Sequence, residues 1–208
     1  MLLRSKTMKF SQIAMVSLLM LAGCATSNPN PTQQSEIQKR QDINQSQAQT
    51  YNENELVTAI STHLGVTSES AASAIERLFK DRGRPSGYIT GEEGGGALTI
   101  GARYGQGTLW MRDGSTQQVF WQGPTIGFDV GGEASKVFTL VYGLNEPSYI
   151  FQRFPGVDGS AFLVAGMAVN YQTANGVTLA PVRSGVGFRL GANVGYTSYT
   201  RARSLIPL

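Results

Sequence analysis

The stretch "GVGFRLGANVGY" at residues 185–196 decides the fold class, because it alternates between two kinds of side chain. A period of two is typical of a β-strand, whose successive side chains point to opposite faces of the sheet. A line of glycines on one face permits sharp coiling, as in a small barrel. One face carries Val186, Phe188, Leu190, Ala192, Val194 and Tyr196, and the other carries Gly185, Gly187, Arg189, Gly191, Asn193 and Gly195.

Outward from this stretch, the chain contains many further short segments with strand character. Asp113-Gly114 and Asn175-Gly176 are good turn signals between them. Gly94-Gly95-Gly96 is interpreted as another turn, and residues 146–154 as one short helix. About eight or more strands with tight turns predict a mainly β fold, a small glycine-rich antiparallel β-barrel-like domain over residues 84–208. The other predicted strands are 97–105, 108–113, 118–122, 125–130, 136–143, 161–171 and 177–183.

Residues 53–83 carry apolar side chains at helical spacing and predict two short helices before the β domain. Gly65 ends the first helix, Thr67 or Ser68 caps the second, and Gly83 stops it. His63 lies in the first helix. We expect it to be a partly exposed helix residue and no ligand, so that His63→Ala has no phenotype.

Residues 1–23 have the features of a lipoprotein signal peptide, with translation starting at Met1 or Met8. The apolar run 13–21 is too short to span a membrane. It leads into Leu21-Ala22-Gly23-Cys24, which matches the bacterial lipobox. We expect acyl chains on Cys24, although an ordinary signal peptide with a chance cysteine is the alternative. Ala25, where aspartate would favour the inner membrane, favours the inner leaflet of the outer membrane, facing the periplasm.

Residues 24–52 contain the cysteine and then a segment rich in Asn, Gln, Ser, Thr and Pro. Such a composition buries too little apolar surface to offset the entropy of ordering. It therefore predicts a disordered, flexible tether.

Charge and residue counts narrow the possible functions. Without Arg4, Lys6 and Lys9 of the leader, 14 basic side chains face 14 acidic ones, so nucleic acid is not expected as a partner. The single cysteine and single histidine predict no disulfide, no metal site, no cofactor and no nucleophilic triad. Adjacent Glu92 and Glu93 point to opposite faces of an extended segment. We expect no enzyme, with a glycan hydrolase using two carboxylates as the less favoured alternative.

Three residues are candidates for a binding site. Arg103 and Arg189 lie on glycine-lined strand faces, from which a guanidinium can enter a barrel. Each either forms a structural ion pair, for which Asp129 is a candidate partner, or binds an anion or a lipid headgroup. Trp121 lies among other aromatic residues that form either the core or the lining of a ligand cavity. These neighbours are Trp110, Tyr104, Phe120 and Phe128.

Most of residues 83–201 resembles the envelope integrity protein A family. The resembling segments are "GRPSGYITGEEGGGAL" (83–98), "RYGQGTL" (103–109), "WQGPTIGFDVGGEASKVFTLVY" (121–142), "RFPGVDGSAFLVAGMAVNYQ" (153–172) and "LAPVRSGVGFRLGANVGYTSYTR" (179–201). The resemblance implies a periplasmic β-barrel-like domain with a non-enzymatic part in envelope integrity, and it carries over no catalytic residue. The lipobox is a departure from the ordinary secreted leaders of this family.

A weaker similarity reaches the SYLF lipid-binding domain through "YGQGTLWMR" (104–112), Trp121, Pro124 and "GFDVGGEASKVF" (127–138). The first functional prediction is a non-catalytic envelope lipoprotein that supports envelope integrity by binding lipid, peptidoglycan or an envelope protein. The alternative is a lipid-binding or lipid-carrying module. A filled barrel favours the first, and a cavity lined by Trp, Phe and Leu favours the second.

Overall fold

The computed structural model describes residues 31–96, 100–126, 135–156, 160–184 and 195–203. The chain divides into two units, Met1–Lys39 and Arg40–Leu208. No helix in the described ranges is long and apolar enough to cross a membrane.

Helix α1, Pro31–Ala48, occupies the segment for which a disordered tether was predicted. That prediction was wrong for these residues. The polar composition provides no apolar face, as expected, but Gln, Glu, Lys, Arg and Ala are all good helix formers. Pro31 at the first helical position also suits a helix start. The low hydrophobicity of this segment correctly predicted that its side chains are exposed. It wrongly predicted a disordered backbone, which is helical.

The two helices predicted from residues 53–83 are confirmed as α2, Glu53–Leu64, and α3, Ser68–Arg82. Asn52 and Glu55 form a reciprocal capping box at the start of α2, and Gly65 ends that helix in the left-handed conformation with φ 70°. The Thr67 side chain accepts from the Ser70 amide and caps α3. The apolar faces of both helices are buried against the sheet, at Leu56, Ile60, Leu64, Ala71, Ala74, Ile75 and Leu78.

Within the described ranges, ten antiparallel strands form one sheet, with a 3-10 helix, Pro147–Ile150, between the fourth and fifth. Along the sheet the order is β5-β10-β3-β2-β1-β4-β9-β7-β6, and β8 also pairs with β9. The strands are β1 Gly87–Gly96, β2 Ile100–Met111, β3 Thr116–Ile126, β4 Ser135–Tyr142, β5 Arg153–Pro155, β6 Phe162–Val164, β7 Met167–Val169, β8 Gln172–Ala174, β9 Val177–Ser184 and β10 Tyr196–Thr200.

The sheet curls back on itself. An isolated bridge joins Gly156, just after β5, to Gln172 in β8, and β8 is paired with β9. The hydrogen-bonded path β5-β10-β3-β2-β1-β4-β9-β8 therefore returns to its start. The predicted mainly β, barrel-like fold class is confirmed.

Strands β4 and β9 separate two hydrophobic clusters. On β4, Phe138 and Leu140 face the helices, whereas Val137 and Val141 face the barrel interior. Because successive side chains alternate, each strand contributes to both clusters and is buried on both faces. The interior cluster includes Ile89, Leu109, Met111, Val119, Trp121, Phe154, Leu179 and Tyr199.

Several strand boundaries differ from the prediction. Gly94–Gly96, interpreted as a turn, continues β1, because β1 pairs with β2 as far as Gly96. Residues 97–105 and 108–113 were predicted as two strands, but the described part is the single strand β2. Residues 161–171 form a hairpin of β6 and β7 around Ala165 and Gly166. The predicted strand at 185–196 lies almost wholly outside the described residues.

Candidate functional site

A cluster of charged side chains lies inside the barrel, centred on Glu93 of β1. The carboxylate of Glu93 is buried. Arg183 of β9 donates from Nε to Glu93 Oε1 and from Nη2 to Oε2 at 3.1 Å. This two-pronged geometry is the strong form of an arginine–carboxylate pair.

Two further residues approach the Glu93 carboxylate. Trp121 Nε1 of β3 donates to Glu93 Oε2 at 3.1 Å, and Arg103 Nε of β2 lies 4.0 Å from the same oxygen. Arg103 Nη2 also donates to Thr197 Oγ1 at 3.0 Å. Thr197 Oγ1 accepts a second hydrogen bond, from Gln172 Nε2 at 2.9 Å. The polar network therefore joins residues from β1, β2, β3, β8, β9 and β10.

Glycines on β1 and β2 make room for the Trp121 indole. A Cβ placed on Gly105 would lie 2.1 Å from the ring, and one on Gly91 would lie 2.6 Å from it. Such distances are far below van der Waals contact, so only glycine fits beneath the ring without a shift. The Trp121 ring thus occupies the space beside the glycine-lined strand face, and in this position its indole N–H donates to Glu93.

The neighbouring charges decide the ionisation of this cluster. Burial alone raises the pKa of the Glu93 carboxyl. The charge and hydrogen bonds of Arg183, assisted by Arg103 and Trp121, outweigh burial and lower this pKa to about 2. Burial alone lowers the pKa of Arg183, because it disfavours the charged form, but the charge and hydrogen bonds of Glu93 raise this pKa above its ordinary value. Burial raises the pKa of the Tyr199 phenol beside them, so Tyr199 stays neutral.

A small cavity adjoins the cluster, with a volume of about 10 Å³. This is close to the smallest space that holds one water molecule. Small-molecule pockets are far larger, about 300–1,000 Å³. The cavity next to Glu93 is therefore too small for an acyl chain or a sugar. Its walls are Glu93, Trp121, Val137, Thr139, Gln172, Pro181, Arg183, Thr197 and Tyr199.

The structure brings two of the three candidate residues together. Arg103 and Trp121 meet at Glu93, whereas Arg189 and the suggested partner Asp129 lie outside the described residues. Glu93 and Arg183 were not singled out from the sequence as a pair. The expectation that Glu92 and Glu93 point to opposite faces is confirmed, since Glu92 is exposed and Glu93 is buried.

The predicted aromatic group does not form one cluster. Trp121 belongs to the barrel core, while Trp110 is 39% exposed on the outside. They differ because 110 and 121 fall on opposite faces of the paired strands β2 and β3. Phe128 lies outside the described residues.

His63 connects α2 to the sheet. Its Nε2 lies 3.1 Å from the carbonyl oxygens of Gly91 and Val137 and 3.2 Å from the Gly91 amide nitrogen. The side chain is half-buried, as expected. Its hydrogen-bonding neighbours are backbone groups, and its ring lies 6.3 Å from that of Phe138. Within the described ranges no three His, Cys, Asp or Glu residues are placed to hold a metal ion.

Fold and interior together define a small β-barrel-like protein with helices α2 and α3 on one side and a charged cluster inside. The chain belongs to the Envelope integrity protein A family, whose model matches residues 49–208. The name of this family connects the chain with the cell envelope and its integrity.

A solved structure is also similar, that of a beta-barrel-like, uncharacterized protein from Brucella abortus. It is 42% identical in sequence, with a TM-score of 0.69. The match covers 76% of this chain and 99% of the Brucella chain. A search of curated proteins gave no significant match.

Proposed function

We propose that this chain is a non-catalytic envelope lipoprotein that supports envelope integrity by binding an envelope component. The observation that carries the proposal is that the charged side chains inside the barrel form ion pairs and hydrogen bonds with one another. Both oxygens of Glu93 accept hydrogen bonds from Arg183, and Trp121 adds another. A cluster bonded in this way holds the barrel together and leaves the outer surface for recognition.

The state of Glu93 argues against glycan hydrolysis inside the barrel. A glycosidase needs two carboxyl groups, one of them with a raised pKa so that it can donate a proton. The pKa of Glu93 is instead lowered to about 2, and its neighbours in the cluster are arginines. This carboxyl therefore stays ionised at any pH of the periplasm.

The filled interior argues against a carrier that holds an acyl chain in the described part of the barrel. The cavity beside Glu93 measures about 10 Å³, and large apolar side chains occupy the interior cluster. We therefore place recognition on the outside of the barrel. Lipid binding at that surface is the alternative function.

The proposed location rests on the lipobox ending at Cys24, which lies outside the described residues. Acyl chains on Cys24 would hold the protein at the inner leaflet of the outer membrane, facing the periplasm, as Ala25 favours. Two or three chains give stable attachment, whereas a single chain binds reversibly. The partner would then be peptidoglycan, lipid or an envelope protein within reach of that membrane.

The test compares the full-length protein with Cys24→Ser in membrane fractions, followed by crosslinking in cells and mass spectrometry of solvent extracts. We expect the parent protein in the membrane fraction and crosslinked to an envelope component, and Cys24→Ser released but folded. A Cys24→Ser protein that stays membrane-bound would contradict the anchor. A stoichiometric lipid extracted from Cys24→Ser protein would replace the proposal with the lipid-binding alternative.

A further inference from the structure

We propose that the outer face of β1–β3 binds the glycan backbone of peptidoglycan, with Trp110 as the ring on which a sugar stacks. This inference rests on the proposed function, because it names the envelope component that the protein binds. It concerns the side of the sheet that faces away from the interior cluster. On β2, Leu109 and Met111 point into that cluster, so Trp110 between them points outward.

Trp110 is the last ring of an aromatic stack that crosses three strands. Tyr88 of β1 stacks on Phe138 of β4 at 5.0 Å, with 12° between the rings. Trp110 stacks on the other side of Tyr88, with a centroid distance of 6.4 Å and 24° between planes. The indole Nε1 donates to Thr90 Oγ1 at 2.9 Å. Two independent contacts therefore fix the orientation of the ring.

The stack ends at a small side chain. Directly opposite Trp110 on β3 is Thr116, and the next residue on the same face is Gln118. Both are exposed, and Trp110 itself is 39% exposed. Three rings thus continue from β4 to β2, and the next position in the row holds only a threonine. The side of Trp110 over Thr116 is open to a flat ligand.

The chemistry around that position suits a neutral sugar ring. The apolar face of a pyranose stacks on an aromatic ring, while its hydroxyl groups exchange hydrogen bonds with amides and hydroxyls. Thr108 and Gln118 are directly paired across β2 and β3, next to Trp110 and Thr116 on the same face. Arg112 at the end of the sheet is already ion-paired with Glu55. Apart from this ion pair, Thr108, Thr116 and Gln118 give the surroundings of the ring neutral hydrogen-bonding groups.

The balance of charge selects among envelope glycans. Among the exposed charged side chains at this face, Glu92 is opposite Lys136 in the register of β1 and β4. Arg203 donates to Oε1 of Gln106, which is opposite Glu92 on β2, so the acidic and basic side chains are interspersed. Anionic headgroups and phosphorylated sugars need a cluster of unpaired basic side chains. The N-acetylated sugars of the peptidoglycan backbone need amide and hydroxyl partners. Their chemistry fits the Thr108, Thr116 and Gln118 side chains beside Trp110.

The test measures binding of the purified full-length protein, in detergent, to isolated peptidoglycan sacculi and to the N-acetylglucosamine tetramer. The chain has two tryptophans, and Trp121 is buried, so a change in fluorescence with the tetramer reports on Trp110. We expect Trp110→Ala to weaken binding about tenfold, in line with other aromatic stacking platforms, and Trp110→Phe to retain most of it. Thr116→Arg, which fills the space beside the ring at an exposed position, also weakens binding about tenfold.

The control is Tyr149→Ala, because Tyr149 is 60% exposed and lies in the 3-10 helix, away from β2 and β3. Its binding should equal that of the parent. Failure of the parent to bind sacculi, or equal binding by Trp110→Ala and Thr116→Arg, would overturn the inference. Displacement from sacculi by lipopolysaccharide would overturn it in favour of another glycan. In each of these cases the membrane fractionation of Cys24→Ser still tests the proposed function separately.

Discussion

At the scale of single residues, Glu93 has the largest consequence for stability. Burying charged groups is unfavourable unless each finds its partners, and the gain from the pair depends on good geometry. Glu93 is the acidic member that both Arg183 and Arg103 approach. Removing its charge leaves the guanidinium groups in place without that carboxylate, which is more costly than losing one hydrogen bond.

We therefore predict that Glu93→Gln lowers the free energy of unfolding by about 3 kcal/mol, near the lower end for a broken buried ion pair. Urea unfolding followed by tryptophan fluorescence measures the change. The matched control is Glu92→Gln, whose exposed side chain lies on the other face of β1. That variant should stay within about 0.5 kcal/mol of the parent.

The same residue predicts how stability depends on acid. The pKa of Glu93 falls from an ordinary 4.5 to about 2 on folding. A carboxyl whose pKa is lowered on folding stabilises the folded state when the pH is above the ordinary pKa of 4.5. This contribution is lost as the pH falls from about 4.5 toward 2. Stability of the parent should therefore decline over that range more steeply than stability of Glu93→Gln. Parallel pH profiles for the two proteins would show that Glu93 is not ionised in the fold.

The sequence allowed part of this cluster to be predicted. Arg103 could be singled out because it lies among glycines on a strand with a period of two. Its meeting with Glu93 could not be foreseen, since periodicity gives the face of a residue but not its neighbouring strand. Glu93 and Arg183 are 90 residues apart, and β4 lies between their strands, with Ser135 opposite Glu93 and Val137 opposite Arg183. Only the register of three strands brings the two side chains together.

At the scale of elements, two glycines of β1 and β2 leave room for the Trp121 ring. We predict that Gly105→Ala destabilises the protein by about 2 kcal/mol or more, because its methyl group overlaps the Trp121 indole. Thermal unfolding followed by circular dichroism measures the loss. Thr108→Ala, on the outward face of the same strand, is the control and should have a much smaller effect.

A double-mutant cycle identifies the cause of that loss. If the indole is the obstacle, Trp121→Leu should reduce the further cost of Gly105→Ala, giving a coupling energy above about 0.5 kcal/mol. Additive effects would mean that Gly105 is required for its backbone conformation and not for the space that it leaves.

Two elements show why sequence patterns succeed or fail at this scale. Helices α2 and α3 were predictable because apolar periodicity, a capping residue and a terminal glycine agree in each. Strand β1 was missed because "GEEGGG" at its end lacks the branched and aromatic residues that favour strands. Its conformation comes from pairing with β2 and β4 on both sides, which is a property of the tertiary structure.

At the scale of the whole Arg40–Leu208 unit, β4 and β9 couple the helical layer to the barrel. Phe138 and Leu140 contact the helical cluster, and Val137 and Val141 contact the interior cluster. If a strand that is buried on both faces loses its contacts on one face, the apolar side chains of that face become exposed to water. The two clusters should therefore unfold together in one cooperative transition.

Leu78→Ala tests this coupling, because Leu78 is fully buried in α3 and distant in sequence from both barrel tryptophans. Removing the side chain from a helix core costs about 2–5 kcal/mol. If the unit is cooperative, the unfolding midpoint falls by the same amount in far-ultraviolet circular dichroism and in the fluorescence of buried Trp121, measured in a Trp110→Phe background. Lys80→Ala, exposed on the same helix, is the control and should leave both midpoints unchanged. A shift in circular dichroism alone would mean that the helices detach while the barrel stays folded, and β4 and β9 would then be stable with one face uncovered.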